Sequence, residues 1–263
     1  MTATDSDKGG HGDIRYYIRN GNTGVAFSIN PFTGNIYVAN VLDFDVAPTS
    51  YTLRLEAEDT ASTQTDTRTG TVTLIIVLTD SNDHTPLFTQ DLYTTTLDEN
   101  VANPTSVLTV LASDDDTGSN GAITYSVVGG TGSILFSVHA TTGVISTQAT
   151  IDYEANIEYD LIVKAVDGGT APLSATCFVR IAINDLNDNS PKFPAAHITV
   201  EITESTPIGT SVVTAVATDV DSLTNNNNVV VYSINPSSSK FIVNPSTGVI
   251  TTNDALDRES QAR

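Results

Sequence analysis

The residues of this chain best suited to chemistry carry oxygen, and they are densest in Asp185-Leu186-Asn187-Asp188-Asn189-Ser190-Pro191-Lys192-Phe193. An earlier stretch, Asp80-Ser81-Asn82-Asp83-His84-Thr85-Pro86-Leu87-Phe88, follows the same plan. Each packs carboxylate and amide oxygens into a few positions and stops at a proline. Hard divalent cations take about six to eight oxygens converging on one point. A short acidic segment between two strand-rich units can supply several of them from the seam itself. The chemistry expected is calcium binding at hinges. An isolated Asp-x-Asp is more often a turn former, because Asp and Asn cap turns without any metal. An EF-hand is excluded, since Gly118 stands where the third ligand after Asp114-x-Asp116 belongs and no glutamate closes the loop. Magnesium fits less well, because it prefers a rigid octahedron that retains water.

Recurrence is what favours the metal over the turn former. Asp83 and Asp188, Phe88 and Phe193, Glu99 and Glu204, Asp114 and Asp219, Gly143 and Gly248, and Asp152 and Asp257 are each 105 residues apart. Tyr16 and Tyr125, and Gly34 and Gly143, are 109 apart. A repeat of that length implies tandem globular domains rather than a tight solenoid. The expected copies are residues 1–84, 85–189 and 190–263. The middle one is expected to be complete. The first is expected to lack its opening strand, and the third to stop before its last two strands.

The elements that must position these oxygens read as short strands. Tyr51, Leu53, Leu55 and Ala57 alternate with polar residues, as do Val72, Leu74, Ile76 and Leu78. In the middle copy Tyr159, Leu161, Val163 and Ala165 face inward, then Cys177, Val179, Ile181 and Ile183. Strands are also expected up to Leu97, over Val107 to Ala112, and over Ile123 to Val127. The third copy repeats them at Ile202 to Glu204, Val212 to Ala217, Val229 to Ile234, and Phe241 to Val243. Asn30-Pro31, Thr33-Gly34, Thr142-Gly143 and Thr247-Gly248 mark turns. Seven short strands per copy with no helical periodicity predict an all-β fold of tandem Greek-key, immunoglobulin-like sandwiches.

Composition narrows the function. A net charge of −20 argues against nucleic acid and against simple attraction to an anionic membrane. An apolar share of 39% suffices for small sandwich cores. Cys177 is the single cysteine, so no internal disulfide forms, and its place on an inward face makes it a small core residue. No apolar stretch reaches membrane-span length, and the polar segment after Met1 is no signal peptide. If the protein is extracellular, targeting and membrane anchoring are expected outside this stretch. His11, His84, His139 and His197 accompany no nucleophile motif, so neither an enzyme nor a small-molecule substrate is expected. A carbohydrate-binding sandwich usually shows an aromatic platform, and the chain has no tryptophan.

Five motifs in order carry a family resemblance. They are Leu97-Asp98-Glu99-Asn100, Asp114-x-Asp116-x-Gly118-x-Asn120-Gly121, Asp152-Tyr153-Glu154, Ala165-Val166-Asp167, and Asp185-x-Asn187-Asp188-Asn189-x-Pro191-x-Phe193. Together they resemble a cadherin extracellular repeat, and the resemblance covers essentially the whole chain. It implies repeats joined around calcium, cell–cell adhesion or recognition as part of a larger membrane protein, and other cadherin ectodomains as partners, in cis or in trans. A rigid, non-adhesive spacer in a very large cadherin is the alternative.

Carried over by residue, the resemblance implies that the first junction uses Asp43 and Asp45 from the first copy. The linker gives Asn82 and Asp83 with the carbonyls of Ser81 and His84, and the middle copy gives Asp114, Asp116, Asp167 and the carbonyl of Asn120. The second junction uses Glu99, Asp152 and Glu154, the linker's Asn187 and Asp188 with the carbonyls of Leu186 and Asn189, and Asp219, Asp221 and the carbonyl of Asn227. Asp45 stands where Glu is usual and His84 where Asn is usual. The loop from Asp221 to Asn227 is two residues longer than that from Asp116 to Asn120. Glu204, Asp257 and Glu259 match the base of a further junction, and Asp5, Asp7 and Asp59 the top of a preceding one.

Overall fold

The computed structural model describes residues 2–6, 13–59 and 68–259. Asp7 and His11, singled out above, lie outside the described residues. The fold is all-β. In the first copy β1 (Ile14–Asn20), β4 (Ser50–Asp59) and β5 (Thr69–Val77) form one sheet in the order β1-β4-β5. A hairpin of β2 (Phe27–Ile29) and β3 (Ile36–Val38) forms another. Alternation along β4 buries Tyr51, Leu53 and Leu55 and exposes Thr52 and Arg54, as a strand with one wet face requires. Those three join Ala26 and Phe27 in the core, with Leu74, Ile76 and Leu78 packed against them. Val72 belongs to the inward face by periodicity but is 47% exposed. β5 is a sheet edge here, so that end of its inner face has little to cover it.

The middle copy carries β6 (Leu87–Phe88), β7 (Leu92–Asp98), β8 (Ser106–Thr109), β9 (Ala112–Ser113) and β10 (Thr124–Gly129). It continues with β11 (Phe136–Val138), β12 (Val144–Thr147), β13 (Glu158–Val166) and β14 (Ser174–Asn184). One sheet has the order β10-β13-β14-β7, a second β11-β12-β8, and a short ladder pairs β6 with β9. The opening strand and the second strand are each broken in two, because β6 pairs with β9 while β7 crosses to β14. The β7–β14 pair is parallel, with Leu92 opposite Phe178 and Asp98 opposite Asn184. All eight residues expected on the inner faces of β13 and β14 are buried. Full burial of each large aliphatic among them contributes about 1.5–3 kcal/mol. Burial, with a smaller push from Asp91, raises the Cys177 thiol to about 11, as befits a core residue. Gly143 and Gly248 adopt φ of +69° and +68°, and a Cβ at either would lie 2.1 Å from a backbone oxygen. Only glycine serves that turn, which explains its recurrence.

In the third copy β15 (Ser211–Thr214), β16 (Phe241–Val243) and β17 (Val249–Thr252) form a sheet in the order β15-β17-β16. The strands expected at Ile202 to Glu204 and Val229 to Ile234 are not in a ladder. Their middle-copy counterparts, in β7 and β10, lean on β14 and β13. The residues equivalent to β13 would begin only at the last residue, Arg263, so neither segment finds its partner. Apolar alternation was therefore necessary but not sufficient.

By compactness the chain divides into two units. One comprises Met1–Thr89, Leu111–Tyr125 and Lys164–Thr176, and the other Gln90–Val110, Ser126–Val163 and Cys177–Arg263. All ten candidate residues of the first junction fall within the former, and all ten of the second within the latter.

Candidate metal centres

In the first seam the linker is gripped by the loop after β9. Asp80 accepts hydrogen bonds through Oδ2 from the Thr117 amide (3.0 Å) and from Asn120 Nδ2 (3.1 Å). Asn82 Nδ2 donates to both oxygens of Asp167 (3.3 Å each) and to the Ala171 carbonyl (2.9 Å). Gly169 makes that approach possible, because a Cβ there would lie 2.3 Å from Asn82 Cγ. His84 grips Asp116 twice, with its backbone amide on Oδ2 (3.2 Å) and its Nδ1 against Oδ1 (2.9 Å). The same Nδ1 is 3.4 Å from Asp45 Oδ2 and 3.3 Å from Asp83 Oδ1. Asp45, Asp83, His84 and Asp116 thus offer ligand atoms within 4.8 Å of one another. The resemblance implies His84 through its carbonyl, whereas its ring also enters the cluster.

Charge follows from this geometry. Its bond to Asp116 raises the His84 pKa against some desolvation, with the charges of Asp116, Asp45 and Asp83 adding to the effect. Desolvation raises Asp45, His84 opposes it, and Asp80, Asp116 and Asp83 raise it further. Burial pushes Asp167 upward, but the amides of Gly169 and Leu173 and the side chain of Asn82 outweigh it and leave its pKa lowered. Asp114 Oδ1 accepts the Asp116 amide (3.0 Å), Asp43 Oδ1 the Asp45 amide (3.0 Å), and the Ser81 carbonyl the Asp83 amide (2.9 Å). Asp43, Asp45, Ser81 and Asp83 line one cleft.

The second seam repeats the design. Asp185 accepts the Ser222 amide (3.2 Å) and Asn227 Nδ2 (2.6 Å). Asn227 therefore occupies the place of Asn120, and the two extra residues are absorbed in a short 3-10 turn at Thr224–Asn226. Asn187 Nδ2 donates to the Asn227 carbonyl (3.3 Å). Asn189 grips Asp221 as His84 grips Asp116, with its amide at 3.3 Å and its Nδ2 at 2.8 Å. Asp219 Oδ1 accepts the Asp221 amide (3.2 Å) and Asp152 Oδ1 the Glu154 amide (3.0 Å). Glu99 is 1% exposed and accepts the amides of Tyr153 and Leu186, each at 2.8 Å. Asp188 accepts from Asn100 Nδ2 and from Asn189 Nδ2, and the Leu186 carbonyl accepts the Asp188 amide. Two clusters result, Glu99–Asp152–Glu154 and Glu154–Asp185–Asp221. Glu154 is pushed up to about 7, by desolvation first and then by Glu99 and Asp188. Glu204, Asp257 and Glu259 form a further exposed cluster.

The first seam also tests whether a cation fits. Asp80 Oδ1, Asn82 Oδ1 and Asp114 Oδ2 are buried without a hydrogen-bond partner. All three are acceptors, and buried acceptors left without donors are costly. Buried acceptor oxygens beside further carboxylates suit calcium, which takes oxygen ligands. Two residues without an assigned role in the sequence, Asp80 and Asp185, hold the loops at Thr117–Asn120 and Ser222–Asn227, and both open their linker motifs 105 residues apart. The part played by Gly169 is visible only in the fold.

Comparison with known proteins accords with this geometry. The cadherin-domain family model matches residues 1–79, 93–184 and 198–263. Human Protocadherin Fat 4 is 38% identical over 260 residues, covering 98% of this chain and 5% of that protein. Mouse Cadherin EGF LAG seven-pass G-type receptor 2 is 34% identical over 267 residues, covering 100% of this chain and 9% of that protein. The chain thus spans a small fraction of the length of these curated relatives. Among solved structures, mouse cadherin-23 EC22-24 superposes with a TM-score of 0.85 at 29% identity, covering 98% of this chain and 81% of that one. Repeat period, sandwich topology and family match agree, and the chain belongs to the cadherin family as a stretch of tandem cadherin repeats.

Proposed function

We propose that this stretch serves in calcium-dependent cell–cell adhesion or recognition, with copies at 1–84, 85–189 and 190–263 joined at two calcium-holding seams. The observation that carries this is the trio of buried, unpartnered oxygens on Asp80, Asn82 and Asp114 beside the Asp45–Asp83–Asp116 carboxylates. Bound calcium would supply divalent charge and accept oxygens from linker and loops alike. Without it, carboxylates within a few ångströms repel one another and the joint is free to flex. In the first seam Asp43, Asp45, Asp83, Asp114, Asp116 and Asp167 would hold it, with Asn82 and the carbonyls of Ser81, His84 and Asn120. In the second, Glu99, Asp152, Glu154, Asp188, Asp219 and Asp221 would do so, with Asn187 and the carbonyls of Leu186, Asn189 and Asn227. The chain's own residues bind and orient; no reaction is catalysed. The setting is the extracellular side of the plasma membrane, and the partners are other cadherin ectodomains, homophilic or heterophilic.

Calorimetric titration with calcium, alongside small-angle scattering, tests this. Uptake of several ions with stiffening of the particle is expected, diminished by Asp188→Ala. No uptake at several millimolar calcium would overturn it. A second role, a spacer within a very long ectodomain, is favoured by the 5% share of Protocadherin Fat 4 that the chain covers. Sedimentation separates the two roles: a calcium-dependent dimer supports adhesion, a strict monomer the spacer.

A further inference from the structure

One kind of side chain recurs beside the Asp114–Asp116 and Asp219–Asp221 loops without contributing an oxygen to a cluster. Tyr125 is buried, and its hydroxyl accepts the Ala112 amide (2.8 Å) and reaches the Ala112 carbonyl (3.4 Å). Ala112 lies two residues before Asp114. Tyr232 does the same at Ala217, with 3.0 Å to the amide and 3.4 Å to the carbonyl, two residues before Asp219. In the first copy Tyr16 Oη accepts the Ala3 amide at 2.9 Å, two residues before Asp5.

The ring makes a second connection. Tyr125 packs on Phe88 with centroids 6.1 Å apart at 52°, and Tyr232 on Phe193 at 6.3 Å and 53°. Phe88 and Phe193 close the two linker motifs. Phe88 also sits opposite Ala112 in the β6–β9 ladder, and the Lys192–Thr218 bridge repeats the neighbouring Leu87–Ser113 pair of that ladder. Linker oxygens and loop oxygens therefore diverge from a single clamp. One edge of the loop's lead-in strand is held by β6, and the other edge by a tyrosine hydroxyl that rests on the linker's own phenylalanine.

We propose that Tyr125 and Tyr232 are positioning residues for the two seams, setting the Asp114–Asp116 and Asp219–Asp221 carboxylates in register with the linker before any cation arrives. The hydroxyl is the operative group, because it satisfies backbone groups of Ala112 that the β6 ladder leaves unpaired. The phenyl ring alone could fill the core but could not hold the strand edge. The proposal rests on the calcium reading above, so its test includes a measurement on the metal-free protein.

The experiment compares the full chain with Tyr125→Phe and Tyr232→Phe, which keep the ring. In chelator, amide hydrogen exchange is followed by NMR at Ala112 to Asp116 and at Ala217 to Asp221. Calcium is then titrated, with Asn120 and Gly121 reporting the first seam and Asn227 and Asn228 the second. Tyr125→Phe is expected to speed exchange at Ala112 to Asp116 and to weaken the first seam about three- to tenfold, leaving the second unchanged. Tyr232→Phe should show the converse. Lowered thermal stability with calcium affinity unchanged at both seams would make the tyrosines core residues only and overturn the proposal. Normal calcium uptake with no change in exchange would overturn it as well. If the parent protein takes up no calcium while exchange still responds to Tyr125→Phe, the calcium reading fails and the pin itself stands.

Discussion

Glu99→Gln is the substitution whose outcome depends most sharply on the seam being built as described. Glu99 is essentially inaccessible, and each of its oxygens accepts one amide, from Tyr153 and from Leu186. Glutamine keeps the shape but turns an NH2 toward one of those amides. One charge-assisted bond is lost and one buried N–H is left facing a donor, a cost of about 2–4 kcal/mol. Opposing this, Glu99, Asp152 and Glu154 offer oxygens within 4.8 Å of each other, so deleting one charge relieves repulsion. For each ionised neighbour about 4 Å away that relief is at most about 4 kcal/mol at an effective dielectric of 20, and less where water screens the pair. The balance turns on Glu154, whose pKa is about 7 in the metal-free protein. At pH 5 Glu154 carries a proton, relief is smallest, and the lost bond dominates. At pH 8 it is ionised and the two effects approach cancellation. Native-state hydrogen exchange at Leu186 and Tyr153 in chelator should report a local destabilisation of about 2–4 kcal/mol at pH 5 that shrinks by pH 8. A cost that does not vary with pH would refute the charge argument, and stabilisation at pH 5 would refute the bonding argument.

Three further outcomes follow. Because the folded Glu154 pKa lies above its ordinary 4.5, metal-free stability should fall as pH rises from about 4.5 through about 7, and second-seam calcium affinity should rise over the upper part of that window; a pH-independent titration would contradict this. Gly169→Ala should displace Asn82 and weaken calcium at the first seam while sparing the second, as site-resolved NMR titration would report; equal weakening of both would refute the steric account. Cys177→Ser should cost about 1–3 kcal/mol in urea unfolding with unchanged calcium affinity, because it buries a hydroxyl far from any ligand; a shift in affinity would contradict its assignment to the core.

The fold was legible where apolar alternation and turn chemistry agreed. Leu53, Leu161 and Ile181 are buried as their spacing requires, and Thr142-Gly143 and Thr247-Gly248 turn as expected. What escaped was dictated by pairing partners. Nothing in Leu92–Asp98 says that it lies parallel to β14, and nothing in Val229 to Ile234 says that its neighbour is missing. The site was legible at residues whose identity repeats, because a 105-residue period is visible without coordinates. Roles were less so. Asp80 reads like any linker aspartate until its bonds to Thr117 and Asn120 are seen, and the His84 ring looks incidental until it lies against Asp116.

The two linkers are fastened unequally, and that bears on how tension would pass along the chain. The second is stapled to the middle copy by Leu186 on Glu99 and Asn100 on Asp188, and to the third by Asp185 on Ser222 and Asn227. The first is bonded firmly to the middle copy through Asp80, Asn82 and His84, but it meets the acidic loop of the first copy through the contact of His84 with Asp45. Among the described residues, the second linker is thus held by hydrogen bonds on both of its sides, and the first by hydrogen bonds on the side of the middle copy and by the His84–Asp45 contact on the other. Tension along a chain is the same at both linkers, so under a pull the metal-free stretch would yield first at the linker with fewer fastenings, and a cation at the first seam would do most to even the two out.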